Sequence, residues 1–460
     1  MNFDDATPLL AQHDQSHVLR FWERLDASQR AGLLAQIATL DFASIRRMRG
    51  MLAAKAEAPG LGPIAPAPVT RLDEAGRCEA RARGEDALRA GQVGVILVAG
   101  GQGSRLGFDG PKGAFPIGPV SNAPLFAIHA RKVLALQRKY GKPVPLYIMT
   151  SDANDAQTRD FFAKHAFWGL APEHVHFFVQ GMWPALTEDG RIILDRPDHI
   201  FMSPDGHGGT MSALRASGMI ANMEKHGLGL LFYFQVDNPL VDVADPAFLG
   251  FHLSHGADIS IKVCAKRDPE EKLGVVVARG SRCAIVEYTE LTQAQKHAVL
   301  PNGQLQFRHG SVAIHIFSRD FLRAQSEADL PLHLAHKKVP YCGDDGALVT
   351  PAKPNAYKFE KFIFDVIPNT ERAFSLEFSR DDEFSPVKNS EGEDSPASVM
   401  RDMVLQFSRW LEGAGVQVPK GADGAPRYRI EIDPLYALTA EDVRGKVSRD
   451  LKITGDLLLK

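Results

Sequence analysis

Seven short runs of nearly unbroken apolar residues lie between residues 93 and 320: VGVILV, PLYIMT, VHFFVQ, GLLFYFQV, ADISIKV, LGVVVA and VAIHIFS. A strand that is apolar on both faces is satisfied only where both faces are covered, as in a parallel sheet packed between helices. The stretches 122–139 and 210–226 between these runs suit helices. The spacing therefore predicts an α/β fold with a mixed, mostly parallel sheet, the class that binds ligands at the carboxyl ends of its strands.

The flanking segments read differently. Residues 8–57 carry Leu19, Phe21 and Trp22, then Leu33, Leu34 and Ile37, at helical spacings of three and four. EAPGLGPIAPAPV, with four prolines, follows and reads as a linker. Another helical stretch is expected near 73–90. The polar segment 379–396 reads as a long loop. Beyond it come a helix, the alternating strand RYRIEIDP and the tail KITGDLLLK, which together suit a small α+β appendage. The expected division is a helical N-terminal module at 1–90, a catalytic domain at 91–378 and a small C-terminal domain at 379–460.

Charge is nearly balanced, 53 basic against 56 acidic residues, which argues against a nucleic-acid or membrane-surface protein. A small anionic ligand needs only local charge. The four cysteines (Cys78, Cys264, Cys283 and Cys342) are scattered, with no CxxC pair, and read as reduced thiols. No charged-then-apolar leader and no run of about 18 apolar residues is evident, so a cytoplasmic chain is expected.

The segment VAGGQGSRLG follows its strand directly. Without β-carbons at Gly100, Gly101 and Gly103, several backbone amides can face a phosphate. Arg105 and Lys112 lie within reach of the same loop and could neutralise a triphosphate and the charge on a leaving pyrophosphate. The spacing is not the dinucleotide fingerprint, because Leu106 takes the place of its third glycine. It is not a P-loop, because Gly113 follows Lys112. Asp237 ends another apolar strand, where a carboxylate facing a triphosphate would suit Mg²⁺, an ion that takes one or two carboxylates plus phosphate oxygens. Asp242 and Asp245 read as loop or cap residues.

GG-x-G-x-R-L followed by P-K-G resembles the signature of sugar-nucleotide pyrophosphorylases. LYIMTS, FFVQGMWPAL, MSPDGHGG, VDNPLVDVADPAFLGF, IVEYTEL, KPNAYKFEKFIFD and DEFSPVKN occur in the order of the eukaryotic-type UDP-N-acetylhexosamine pyrophosphorylases, and VLRFW at 18–22 echoes their N-terminus. The resemblance covers nearly the whole chain. It implies a nucleotidyltransferase (GT-A/Rossmann-like) domain that joins UTP to a sugar 1-phosphate, here N-acetylglucosamine 1-phosphate, and releases pyrophosphate. It also implies Mg²⁺ at Asp237.

By this resemblance the backbone of Val98, Ala99, Gly100, Gly101 and Gly103, with Gly206 and Asp237, meets the nucleotide. Gln180 reads the uracil edge, for which an amide that both donates and accepts is suited. His207, Glu287, Ser311 and Lys358 match sugar-phosphate positions, and Arg105, Lys112 and Lys388 are the catalytic cations. Two positions depart from the pattern. The family commonly has Asn at His207, and usually Asn at Ser311, where a hydroxyl cannot reach as an amide does. Both departures raise UDP-glucose, UDP-galactose or broad-specificity formation as the alternative. A Rossmann oxidoreductase fails on the missing glycine; a non-catalytic sugar-nucleotide sensor stays a distant alternative, against which the retained cations and Asp237 argue and which turnover would separate.

Overall fold

All seven apolar runs are strands, and three further segments join them in one ten-stranded sheet. The computed structural model describes residues 1–54 and 62–460. In chain order the sheet contains β1 (Ala65–Pro66), β2 (Val93–Val98), β3 (Leu146–Thr150), β4 (Val175–Val179) and β5 (Leu230–Gln235). It continues with β6 (Ile259–Ala265), β7 (Val275–Arg279), β8 (Arg282–Val286), β9 (His309–Ser318) and β10 (Ala373–Glu377).

β5, β2, β3 and β4 run side by side and parallel. β9 crosses over antiparallel to β5, and β7 pairs with β9, β8 and β1. β6 is antiparallel to β9 and parallel to β10. The sheet is thus mixed, as expected, with its parallel half around β2. Register sets the site: Val98 lies opposite Gln235 on one side and Met149 on the other, so β5, β2 and β3 end together.

The chain divides into two units. The larger comprises Pro63–Val179, Thr210–Ala328 and Val366–Lys460 and holds the sheet. Its core packs Val95, Leu97, Ile148, Phe232 and Phe234 against Phe126, Ala130 and Val133 of the helix Leu125–Tyr140. Burying each phenylalanine contributes about 1.5–3 kcal/mol. Arg138 and Lys139 on the same helix stay exposed, the pattern of a helix covering a sheet. The helix Pro396–Gly413 begins at Ser395, whose hydroxyl accepts from the Ser398 amide, and beyond it Ile430–Ile432 pairs parallel with Leu457–Leu459.

The smaller unit takes its described residues from Met1–Gly62, Gln180–Gly209 and Asp329–Asp365. Its helices Phe3–Gln12, Ala27–Thr39 and Phe42–Ala53 start at the capping side chains Asn2, Asp26 and Asp41. Leu10, Phe21, Leu33 and Ile37 pack with Leu186, Ile200, Tyr357 and Phe359.

The helical reading of 8–57 holds over its described part, where Asp26 and Asp41 each start a separate helix. Two expectations need correction. The segment 210–226 is two helices, Thr210–Ala216 and Met219–Lys225, with Gly218 between them. The proline-rich segment is not all linker: Ala65–Pro66 is an edge strand on β7, a place where proline's missing donor is tolerated. Residues 57–61 of that segment lie outside the described residues. Among the described residues no helix is long and apolar enough to cross a membrane. The four cysteines are free, and burial pushes the thiols of Cys264 and Cys283 up to about 11.

Candidate active site

In the larger unit the glycine loop leaves β2 and is fixed by its carbonyls. The amide nitrogen of Asn154, a buried residue, donates to the Ala99 carbonyl at 3.0 Å and to the Gly101 carbonyl at 3.2 Å. The Ser151 hydroxyl donates to the Gly100 carbonyl at 2.8 Å. The Lys112 amide donates to the Gly101 carbonyl at 3.0 Å, folding the loop back on itself. With its carbonyls held from behind, the loop leaves the Gly100 and Gly101 amides without a protein acceptor among the described residues. A β-carbon at Gly101 would meet nothing nearer than the Lys112 Cε at 3.9 Å, so that side of the backbone is open. Gly103 is required for another reason: a β-carbon there would lie 2.7 Å from Phe108.

Lys112 and Asp237 face each other across this opening, Nζ to Oδ2, at 3.6 Å. Their side chains are 20% and 12% exposed, so the pair is largely shielded but still accessible. Asp237 follows β5, and its carbonyl accepts from the Val387 amide at 2.8 Å, which ties the loop carrying Lys388 to the aspartate's turn. Lys388 Nζ lies over the Phe384 ring at 5.7 Å. Arg105 is exposed.

Glu287 and Ser311 come together at Gly274. The Ser311 amide donates to the Gly274 carbonyl at 2.8 Å. A β-carbon at Gly274 would sit 3.3 Å from the Glu287 carboxylate, so a side chain there would crowd the carboxylate.

In the smaller unit, Gln180 is buried at the end of the segment leading out of β4. The Asp205 amide donates to the Gly181 carbonyl at 3.0 Å and so joins the Gln180 turn to the Gly206–Gly209 loop. Gly206 has φ +85°, and a β-carbon there would lie 2.5 Å from the Lys361 carbonyl oxygen. That combination excludes other residues. The His207 ring stacks on Phe362 at 5.4 Å, and its Nδ1 accepts from the Ile363 amide at 3.1 Å. Burial, followed by the neighbouring His333, lowers the His207 pKa to about 4, so the ring is neutral at physiological pH. Lys358 lies over the Phe201 ring at 4.9 Å, and burial lowers its pKa from the usual value.

Sequence reasoning missed Asn154, Asp205 and Lys361. Asp205 is 3% exposed, and burial raises its pKa to about 7 against the opposing pull of Lys361. Asn154 lies in no motif quoted from the sequence, whereas Lys361 stands three residues after Lys358 within KPNAYKFEKFIFD. Asp205 stands next to the glycines of MSPDGHGG and carried a positional signal.

Asp237 could hold a divalent ion that takes its remaining ligands from a substrate. Among the described residues no group of three or more His, Cys, Asp or Glu is placed to hold a metal. Asp237 is a single carboxylate beside an open backbone loop, which suits Mg²⁺ completed by phosphate oxygens.

The family model for UTP–glucose-1-phosphate uridylyltransferase matches residues 65–405. The human UDP-N-acetylhexosamine pyrophosphorylase-like protein 1 is 36% identical over 95% of this chain and 93% of its own length. The UDP-N-acetylglucosamine diphosphorylase 2 of Arabidopsis thaliana is 35% identical over 95% of this chain and 90% of its own. Among solved structures, the uridine diphosphate N-acetylglucosamine pyrophosphorylase of Trypanosoma brucei in complex with inhibitor is 28% identical, with a TM-score of 0.84, and 99% of this chain and 98% of that one are covered. The likeness holds in sequence as well as in fold: the chain belongs to the UTP–glucose-1-phosphate uridylyltransferase family of pyrophosphorylases.

Proposed function

We propose that the protein transfers the uridylyl group of UTP to N-acetylglucosamine 1-phosphate, releasing pyrophosphate. The observation that carries this reading is the Lys112–Asp237 pair, 3.6 Å apart at the open glycine loop. A cation and a carboxylate at that place are what a nucleoside triphosphate and its metal require. High-coverage similarity to proteins named for N-acetylhexosamine and N-acetylglucosamine substrates supports the choice of sugar.

The chemistry needs no protein nucleophile. An anionic oxygen of the sugar phosphate attacks the α-phosphorus of UTP, the bond from that phosphorus to the β-bridging oxygen breaks, and pyrophosphate leaves with the electron pair. The protein's task is to hold two anions together and to stabilise the charge that develops on the leaving group. The amides of Gly100 and Gly101 would receive the triphosphate, and Lys112 and the exposed Arg105 would neutralise the departing phosphates. Lys388 would hold the incoming phosphate. In the smaller unit Lys358 suits an anionic ligand group, because burial disfavours its charge and an anion would offset that. Asp237 would hold Mg²⁺ together with phosphate oxygens of the substrate, and the ion would supply further charge neutralisation at the triphosphate.

His207 contributes a fixed loop rather than a charge, since its Nδ1 is occupied by the Ile363 amide. Ser311 favours a second reading, UDP-glucose or UDP-galactose formation, because a serine presents less reach than an amide to an N-acetyl group. Pyrophosphate release, measured with UTP and Mg²⁺ against N-acetylglucosamine, N-acetylgalactosamine, glucose and galactose 1-phosphates, separates the two. The N-acetylglucosamine substrate is expected to lead; a lead by glucose or galactose would establish the second reading, and silence with all four would refute both.

A further inference from the structure

The segment that carries Lys388 has little structure of its own. After the single helical turn Arg380–Glu383, no helix or strand forms until Pro396. One buried side chain from the turn that carries Asp237 nevertheless grips the segment at two points. Asn238 is 5% exposed. Its amide nitrogen donates to the Glu383 carbonyl at 2.7 Å, and its amide oxygen accepts from the Ser385 amide at 3.1 Å and from its own turn's Leu240 amide at 3.3 Å. The Val387 amide adds the bond to the Asp237 carbonyl.

The two segments are also braced from beneath. Lys262, on β6 and 1% exposed, donates to the Glu383 carboxylate at 2.6 Å and to Asp245 at 2.8 Å. Asp245 at the same time caps the helix Pro246–Ser254. Lys132 holds the far end of the Asp237 turn by donating to the carbonyls of Pro239 and Val241, each at 2.6 Å. A turn and a loop more than 140 residues apart in sequence are therefore locked into one register by directional bonds. Apolar packing alone would let them slide, whereas a fully satisfied buried polar network fixes a single arrangement.

We propose that Asn238 is a positioning residue, setting the place of Lys388 relative to Asp237 by clamping the 383–387 segment to the Asp237 turn. The proposal rests on the reading of Asp237 and Lys388 as phosphate-site residues. A displacement of about 1 Å at a reacting centre costs about 10²-fold in rate, and Asn238→Ala removes the side-chain bonds that join the Asp237 turn to Glu383 and Ser385.

The test is a double-mutant cycle on kcat with Asn238→Ala and Lys388→Ala, alongside Asp237→Asn. Thermal melting of each variant checks folding. Asn238→Ala is expected to lower kcat by about 10²-fold with a folded melting profile. Because the residue acts through Lys388, adding Asn238→Ala to Lys388→Ala should cost less than about threefold more. Should Asn238→Ala fail to fold, Asn238→Ser, whose hydroxyl is too short to bridge both partners, carries the same cycle. A fully additive double mutant, or a wild-type rate for Asn238→Ala beside crippled Lys388→Ala and Asp237→Asn, overturns the clamp and leaves the site reading intact. Wild-type rates for both Lys388→Ala and Asp237→Asn overturn the site reading and the clamp with it.

Discussion

Lys112→Ala tests the reading of the site most directly. The Lys112 side chain makes one ion pair, with Asp237 at 3.6 Å, while its backbone amide anchors the glycine loop and is untouched by the substitution. At an effective dielectric of about 20, two unit charges at that separation attract by about 5 kcal/mol gross, most of which offsets the cost of desolvating two largely shielded groups. The resting pair is therefore a poor measure of what the cation does. During the reaction, negative charge moves onto the leaving pyrophosphate. A preorganised donor aimed at such charge contributes about 10²–10³ in kcat, or about 2.7–4 kcal/mol. Lys112 is already engaged by Asp237, which places the expectation at the lower end, about 10²-fold. Initial rates of pyrophosphate release at saturating UTP, with melting curves for both proteins, give the measurement. A fall in kcat with a preserved fold supports the role. An unchanged kcat with a raised KM for UTP would mean that Lys112 binds ground and transition states alike, and the argument would fail.

Asn154→Ala should loosen the loop from behind. It strips donors from the Ala99 and Gly101 carbonyls and an acceptor from the Ser151 amide, so KM for UTP should rise and the melting temperature should fall; wild-type values of both would refute the anchoring. Asp205 has a pKa raised by burial to about 7 from an unfolded value of 3.8. A raised carboxyl destabilises the folded state progressively between those pH values and constantly above them, by up to a few kcal/mol. Asp205→Asn should therefore raise the melting temperature more at pH 8 than at pH 5, and an equal shift at both would contradict the assignment. For His207 the sign is reversed: its folded pKa of about 4 lies below the unfolded 6.5, so its contribution to stability is lost as pH falls through that window. His207→Asn should flatten the loss of melting temperature between pH 6.5 and 4, and an unaltered slope would refute it.

What could be read from the chain follows from how local each signal is. The strands around β2 announced themselves because burial on both faces leaves no polar residue to dilute an apolar run. The glycine loop was legible because close approach of backbone restricts composition within a few neighbouring positions. β8 went unread, although Gly280-Ser281 between Arg279 and Arg282 is a two-residue hairpin signal. Its strand is short and interrupted by Arg282 and Cys283, so the signal lay in the turn rather than in hydropathy. The return of the chain to the smaller unit at 180–209 and 329–365 carries no compositional mark at all. Gln180, Gly206, His207 and Lys358 could be named only by resemblance, since nothing in their own segments shows that they share a unit with the N-terminal helices. The asparagines show the limit most sharply. Asn154 and Asn238 look like ordinary turn residues, and their turns are real. Yet Asn154 reaches back more than 50 residues to the glycine loop, and Asn238 reaches forward 145 residues to Glu383. A side chain whose partners are main-chain groups leaves no complementary residue type elsewhere in the sequence to betray it. The glycine loop with Arg105 and Lys112, and Asp237 at its strand end, could be inferred from one segment at a time, whereas the polar clamps that give those positions their geometry became visible only when the strands were laid in register.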